Sequence, residues 1–431
     1  MLIHRQRRVC SKGVDYMSKG LFLERLTRMR DALALKEPDR VPCAPMHTVY
    51  PYLFAGYTMA EVLDDAEKAK NAMRRYLNHF QPDAAYGYAA LAGMGPLLEK
   101  MGAKWHQWAG QPGTSIDKVS MRQYEEKPYL TGDEYPEMLS DYTGWLMKKY
   151  LPRGFKALEP MAGLSMSSMR GGDFLPYTPQ FAKPEVQEMF KLLGEIGLET
   201  GRLYAESTAF NKEIEEMGFP LQVAASATAP FDQLSDQLRG AIDTQLDLYS
   251  QPDNVMGTVE SFFPETRKNA VAMGLASSAS LKMVLIPINK GMDGFMSDEH
   301  YRSFYWDTLL RLINGLIDAG LTPWVYTEGP YDARVECLMD VPKGKTLIHF
   351  EQADMRRVKK LLGDKACISG GISSYMLKWG SKETVIEKVK ENLDTLAPGG
   401  GFIFDLGDTM GDALQENVEA MFETVRGYGK Y

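Results

Sequence analysis

Apolar runs and amphipathic runs alternate along the chain. Phe22, Leu26, Met29 and Leu33 fall at spacings of four, three and four, a stripe that predicts a helix over 22–34. Pro38 and Pro42 stop it, and the apolar run at 41–47 follows as a short buried strand. Thr58 and Glu61 have the spacing of a capping box, opening a helix that ends near residue 80. The run at 83–93 predicts a second strand. Residues 94–150 mix aromatics, prolines and charges without a period and read as an insertion carrying helical pieces. The run at 155–163 predicts a third strand, and a long helix occupies about 184–217.

The second half repeats the pattern more cleanly. Apolar runs of strand length stand at 221–230, 281–289, 324–326, 346–350, 366–369 and 401–405. Helices are expected at about 331–339, 354–362, 381–396 and 413–426, the third opening on an N-cap serine, Ser381. Strands that are apolar throughout, separated by helices, argue for a parallel sheet covered on both faces. About eight such units in one chain is the arithmetic of a (β/α)8 TIM barrel. A doubly wound sheet is the runner-up, and it loses ground because no GxGxxG or GxxxxGK[ST] loop follows a strand. The expected organisation is a flexible extension over 1–20, then a single barrel over 21–431 with an N-terminal helix and an insertion at about 94–150.

Composition narrows the class. The 431 residues are 44% hydrophobic and 25% charged, enough apolar material for a large core and too much for disorder. A net charge of −8 offers no basic field for nucleic acid or an anionic membrane. No run approaches the ~18 consecutive apolar residues of a membrane span. The basic first 16 residues lack an apolar core, so they do not read as a secretory signal. Cys10, Cys43, Cys337 and Cys367 lie far apart, which excludes a disulfide scaffold and a Cys-rich zinc site. The expected setting is a reducing cytoplasm.

In a TIM barrel the chemistry lies at the C-terminal ends of the strands. That rule selects Met46 and His47, Asp293 and Phe295, Tyr326 and Glu328, His349 and Glu351, and Asp408, with Tyr331 close by. Side chains alternate along a strand, so Tyr326 and Glu328 share a face, as do His349 and Glu351. Glu328, set between Trp-Val-Tyr-Thr and Gly-Pro, is poorly explained by solvent exposure. The bland reading of His349 is a satisfied core histidine; that of Glu351 and Asp354 is an acid favoured at a helix N-terminus. His300 reads as a first-turn residue after the Ser297 cap, and Cys337 reads as core. No GxSxG motif or Ser-His-Asp order is present.

Several motifs resemble the uroporphyrinogen decarboxylase superfamily. They are Arg28-Met-x-Asp31 through Asp39-Arg40-Val41-Pro42, Ala229-Pro230-Phe231 with Arg239-Gly240, and Ile368-Ser-Gly-Gly-Ile372. Ala397-Pro-Gly-Gly-Gly-Phe402 and the final helix from Glu416 to Gly429 complete the set. The resemblance implies a (β/α)8 barrel. True decarboxylases of that superfamily carry an arginine-rich segment after the first strand and a histidine after the last. Here those positions read Met46-His47-Thr48-Val49-Tyr50 and Asp408, so an octa-acid substrate finds few cationic partners.

The other branch implied by the resemblance is corrinoid-linked methyl transfer. Its thiol-methylating members hold zinc with a His-x-Cys and a further cysteine, positions that read Tyr326-x-Glu328 and Asp408 here. Hard oxygen donors replace soft sulfur. The expectation is a methyltransferase that moves a methyl group from a small methoxylated substrate, an aryl methyl ether, to the cobalt of a separate corrinoid protein. Glu328, Asp408, His349 and Tyr326 are its expected catalytic set, and Met46, His47, Asp293, Phe295, Tyr331 and Glu351 its substrate wall. Glu328, His349 and Asp408 could also hold zinc, the cobalamin would ride on the partner, and a homodimer is compatible with the chain. The alternative is a lyase or decarboxylase on the same barrel, acting on a smaller acid through Asp293, Lys290 and His47.

Overall fold

A computed structural model describes residues 2–87, 92–166, 169 and 172–431, with the side chains of 2–17 outside the description. That leaves Met1, the side chains of most of the expected 1–20 extension, and part of the second predicted strand outside the description, while the backbone over 2–20 is helical. Among the described residues no helix is long and apolar enough to cross a membrane.

Six parallel strands pair in sequence order: β1 (Val223–Ser226), β2 (Met283–Ile288), β3 (Thr322–Pro330), β4 (Leu347–Gln352), β5 (Cys367–Gly370) and β6 (Phe402–Phe404). Two further extended segments close the ring. Residues 41–47 lie against β6, where Ala44 N donates to Phe404 O and Phe404 N donates to Pro42 O. Asp83 N then donates to Cys43 O, and Ala85 bridges to Leu221 beside β1. Eight staves therefore surround one lumen, the TIM barrel expected from the strand count.

The period of two explains why these strands are apolar throughout. Ala44, Met46, Met283, Leu285, Trp324, Tyr326, Leu347, Cys367 and Ile403 form one cluster that fills the lumen. Their neighbours Val284, Ile286, Val325, Ile348, Phe350, Ile368 and Phe404 belong to the second cluster, packed against the helices. Leu26, Met29 and Ala32 of helix α1 (Leu2–Leu33) join the lumen cluster. Arg30 of the same helix reaches Ser280 O, just before β2, so α1 plugs the N-terminal floor.

The motif residues Arg28, Asp39 and Arg40 secure that floor. Arg28 donates to Asp39 at 2.7 Å and to Asp83 at 2.6 Å, and Arg40 donates to Asp83 at 2.7 Å. Asp83 also accepts from Cys43 N at 2.7 Å, so one buried carboxylate joins the first two staves. Thr58 and Glu61 form the expected capping box, but their helix stops at Asp64, and α2 (Ala66–Phe80) restarts after an Asp65 cap. Ser381 caps the helix Lys382–Leu396 as expected.

One expected strand is absent. Residues 156–163 form 3-10 turns, because Pro160 removes a ladder donor and Leu158 and Met161 repeat every three residues. Those two side chains pack on Val186 and Met189 of α3 (Pro184–Glu216). The excursion from the second stave carries short helices and an antiparallel pair, His106–Gln107 with Gln123–Tyr124, before α3 leads back to β1.

Candidate active site

The C-terminal ends of the staves gather carboxylates. Glu328, near the end of β3, is partly buried and takes a hydrogen bond from Asn289, the residue after β2. Burial, then Glu351, then Asp236 push its carboxyl above the usual range, while Asn289 and Lys290 oppose the shift. Glu351, on β4, accepts from Gly329 N, which fixes the turn after Glu328. Gly329 has φ of 80°, a conformation that favours glycine and gives the chain its bend at the rim.

Two acids from the helical segment 230–239 after β1 complete this side. Asp232 is buried and accepts from Tyr305 Oη at 2.6 Å and from the backbone N of Asn289 and Lys290. Burial and the nearby Asp236 nevertheless push its carboxyl well up. Asp236 accepts from Asn289 at 3.2 Å and pairs with Lys290 at 2.9 Å. Lys290 also reaches Glu126 of the insertion at 2.7 Å, so one ammonium ties the insertion to the mouth. Burial opposes its charge, but Asp236 and Glu126 outweigh that and raise it. Asn289 stands where the strand-end rule points, at the end of the run 281–289, whereas composition and motif spacing do not mark Asp232, Asp236 or Glu126. The strand-end rule reaches Asp232 and Asp236 just after Ala229-Pro230-Phe231, whereas nothing in an aperiodic insertion marks Glu126.

His349 and Tyr326 lie deeper. They are paired positions on β4 and β3, and both are buried. His349 Nε2 is 2.9 Å from Gly407 O, which can only accept, and Nδ1 is 3.0 Å from Ser369 Oγ and 3.4 Å from Asp405. Asp405 in turn accepts from Met46 N at 2.8 Å. Tyr326 lies under the field of Asp405, Glu351, Glu328 and Asp408, which adds to burial in holding its proton on.

The other expected residues divide. Asp408 caps the helix Ser374–Trp379 through Ser374 N at 2.6 Å and the Ser374 hydroxyl. Both ring nitrogens of His349 are taken, so Glu328, His349 and Asp408 do not present a shared set of free donors. Among the described residues no group of three His, Cys, Asp or Glu is placed to hold a metal. The expected zinc does not fit this arrangement. Met46 and His47 are buried, and burial pulls His47 down to about 4, so it is neutral at physiological pH. Tyr331 is sealed below the mouth with its hydroxyl on Ile288 O at 3.0 Å, and Asp293 accepts from Ala333 N at 2.9 Å. Phe295 remains at the rim, 5.9 Å from the Lys290 ammonium.

The sequence model described as Uroporphyrinogen decarboxylase (URO-D) matches residues 168–428. The chain belongs to this family. A solved methyltransferase from Methanosarcina mazei has a similar fold, with TM-score 0.59 at 14% identity over 94% of this chain and 98% of that one. A search among curated proteins gives no match. Lys290, the cation just past the end of β2, is already engaged by Glu126 and Asp236. The segment after the first stave is packed inward, with Met46, His47 and Tyr50 all buried, and it carries no arginine.

Proposed function

We propose that this chain is the substrate-side methyltransferase of a corrinoid-dependent O-demethylating system. The supporting observation is Glu328, a rim carboxyl whose affinity for a proton is raised by burial and by neighbouring acids. Breaking a methyl ether needs such a proton. The C–O bond breaks, the methyl group passes to the reduced cobalt of a corrinoid on a partner protein, and the electron pair left on oxygen takes the proton of Glu328. Asn289 orients the carboxyl, and burial, Glu351 and Asp236 raise its affinity for the proton. The chain's own residues bind the ether, hold it at the rim and supply the acid; the corrinoid supplies the methyl acceptor. The named methyltransferase of similar fold and membership of the family support the same reading.

The lyase reading is weaker on geometry. Lys290 is committed to Glu126 and Asp236, His47 is sealed in the core, and Asp293 holds a turn. These three offer no joint set of free groups to an acid substrate.

The decisive experiment mixes the protein with a reduced corrinoid protein and a panel of methoxylated compounds while following cobalt absorbance. Methyl transfer is expected with wild type and should fall by ~10²–10⁴ in Glu328→Gln, the span of a lost general acid. Transfer at the wild-type rate in that variant would remove Glu328 from the mechanism. No transfer from any ether would reject the reading.

A further inference from the structure

The insertion and the barrel mouth border an open cavity of about 490 Å³. Asn289 and Asp236 form its barrel side, so it adjoins the residue that hydrogen-bonds Glu328. The insertion contributes the rings of Trp105, Tyr124 and Tyr150. Arg122 and His106, from the antiparallel pair and the turn beside it, also line the cavity. The volume lies within the ~300–1,000 Å³ of small-ligand sites.

Arg122 is partly buried, and among the described residues no ion pair or hydrogen bond holds its guanidinium. Neighbouring partly buried arginines are matched: Arg153 with Glu134 and Arg239 with Asp247, each at 2.7 Å. The acids of the cavity are already engaged, because Glu126 and Asp236 share Lys290. Withdrawing a cation from water without a counter-charge is costly, and burial accordingly pulls Arg122 below its usual value. Burial and then the charge of Arg122 draw His106 down to about 4, so His106 adds no second cation at neutral pH. A free planar fork beside aromatic rings is the complement of a carboxylate on a flat ligand.

We infer that Arg122 is a substrate-binding residue that anchors a carboxylate, which makes the ligand a small aromatic acid with its ring among Trp105, Tyr124 and Tyr150. The methoxy group of that acid rests on the methyltransferase reading; the carboxylate site does not.

Calorimetric titration of the full chain with para-methoxybenzoate, benzoate and neutral para-methoxybenzyl alcohol tests this. Wild type is expected to bind both acids, and Arg122→Gln to weaken them about 10- to 100-fold, the range of a lost charged hydrogen bond. The alcohol's affinity should stay within about twofold, since it makes no ionic contact. Arg122→Lys should recover part of the loss, because it keeps the charge without the fork. It also carries the comparison if Arg122→Gln does not fold. Failure of wild type to bind either acid, or unchanged acid affinity in the variants, would overturn the assignment. Acid binding that depends on Arg122 without methyl transfer would sink the methyltransferase reading and leave this site standing. Methyl transfer from para-methoxybenzoate with unchanged rate and acid affinity in Arg122→Gln would do the reverse.

Discussion

The imidazole of His349 lies flat on the ring of Tyr326, with centroids 4.3 Å apart and planes 5° from parallel. The two are register partners on neighbouring parallel strands, so both side chains point into the lumen at the same level. Gly407 O, Ser369 Oγ and Asp405 hold the imidazole from the far side. The stack forms a rigid shelf under the mouth acids and gives His349 a positioning role.

Removing that shelf should cost stability before it costs chemistry. His349→Ala leaves a void and strands two buried polar partners, an expected loss of about 3–4 kcal/mol. His349→Gln, which can still donate to Gly407 O, should lose less. Urea denaturation measures both. A destabilisation below ~1 kcal/mol for the alanine variant would contradict the shelf. If His349→Gln folds and still drops methyl transfer ~10²-fold or more, His349 takes part in the chemistry.

The pH dependence follows from Glu328. Its carboxyl is raised in the fold, so the folded state binds the proton more tightly than the unfolded chain. Stability from this group is therefore full below the ordinary carboxylate range. It declines as pH rises from there, and the decline ends above the raised folded value. Activity that needs the protonated acid should fall over the same upper limb. The rate of methyl transfer is expected to decline with rising pH in wild type, and Glu328→Gln should be slow and lack that limb. Glu328→Gln should also melt at or above wild type at neutral pH, since the amide has no charge to desolvate. A flat wild-type profile, or an equal limb in the variant, would show that Glu328 is not the titrating acid.

The barrel was legible because its staves are buried on both faces, and a run such as 281–289 admits few other solutions. The run at 155–163 is as apolar, yet its spacing of three, with Pro160 inside, belongs to 3-10 turns. The period of two pairs Tyr326 with Glu328 and His349 with Glu351. It carries no information on depth, which sets the first of each pair in the lumen and the second at the rim. Asp232 and Asp236 lie on the short helical segment 230–239 after β1, and only the fold turns them inward. Glu126 and Arg122 belong to a segment without a period, so their partners, or lack of them, are purely tertiary facts.

The Gly-Gly of the Ile368–Ile372 motif has a steric cause that yields the last prediction. A Cβ on Gly371 would meet the backbone oxygen of Asp405 at 2.1 Å. That oxygen cannot retreat easily. The Asp405 side chain accepts from Met46 N and Leu406 N, and Gly407 N donates to Ile372 O beside it. Gly371 thus lets the turn after β5 pass against the end of β6, where Asp405 meets His349. Gly371→Ala should lose about 3 kcal/mol or more, with reduced soluble yield as the first sign. Gly194→Ala, in α3 with nothing within 4 Å of the added carbon, is the control and should gain about 0.5–1 kcal/mol from helix propensity. Denaturant midpoints for the two variants decide the matter: similar stabilities would mean that the close approach at Gly371 is not what the motif preserves.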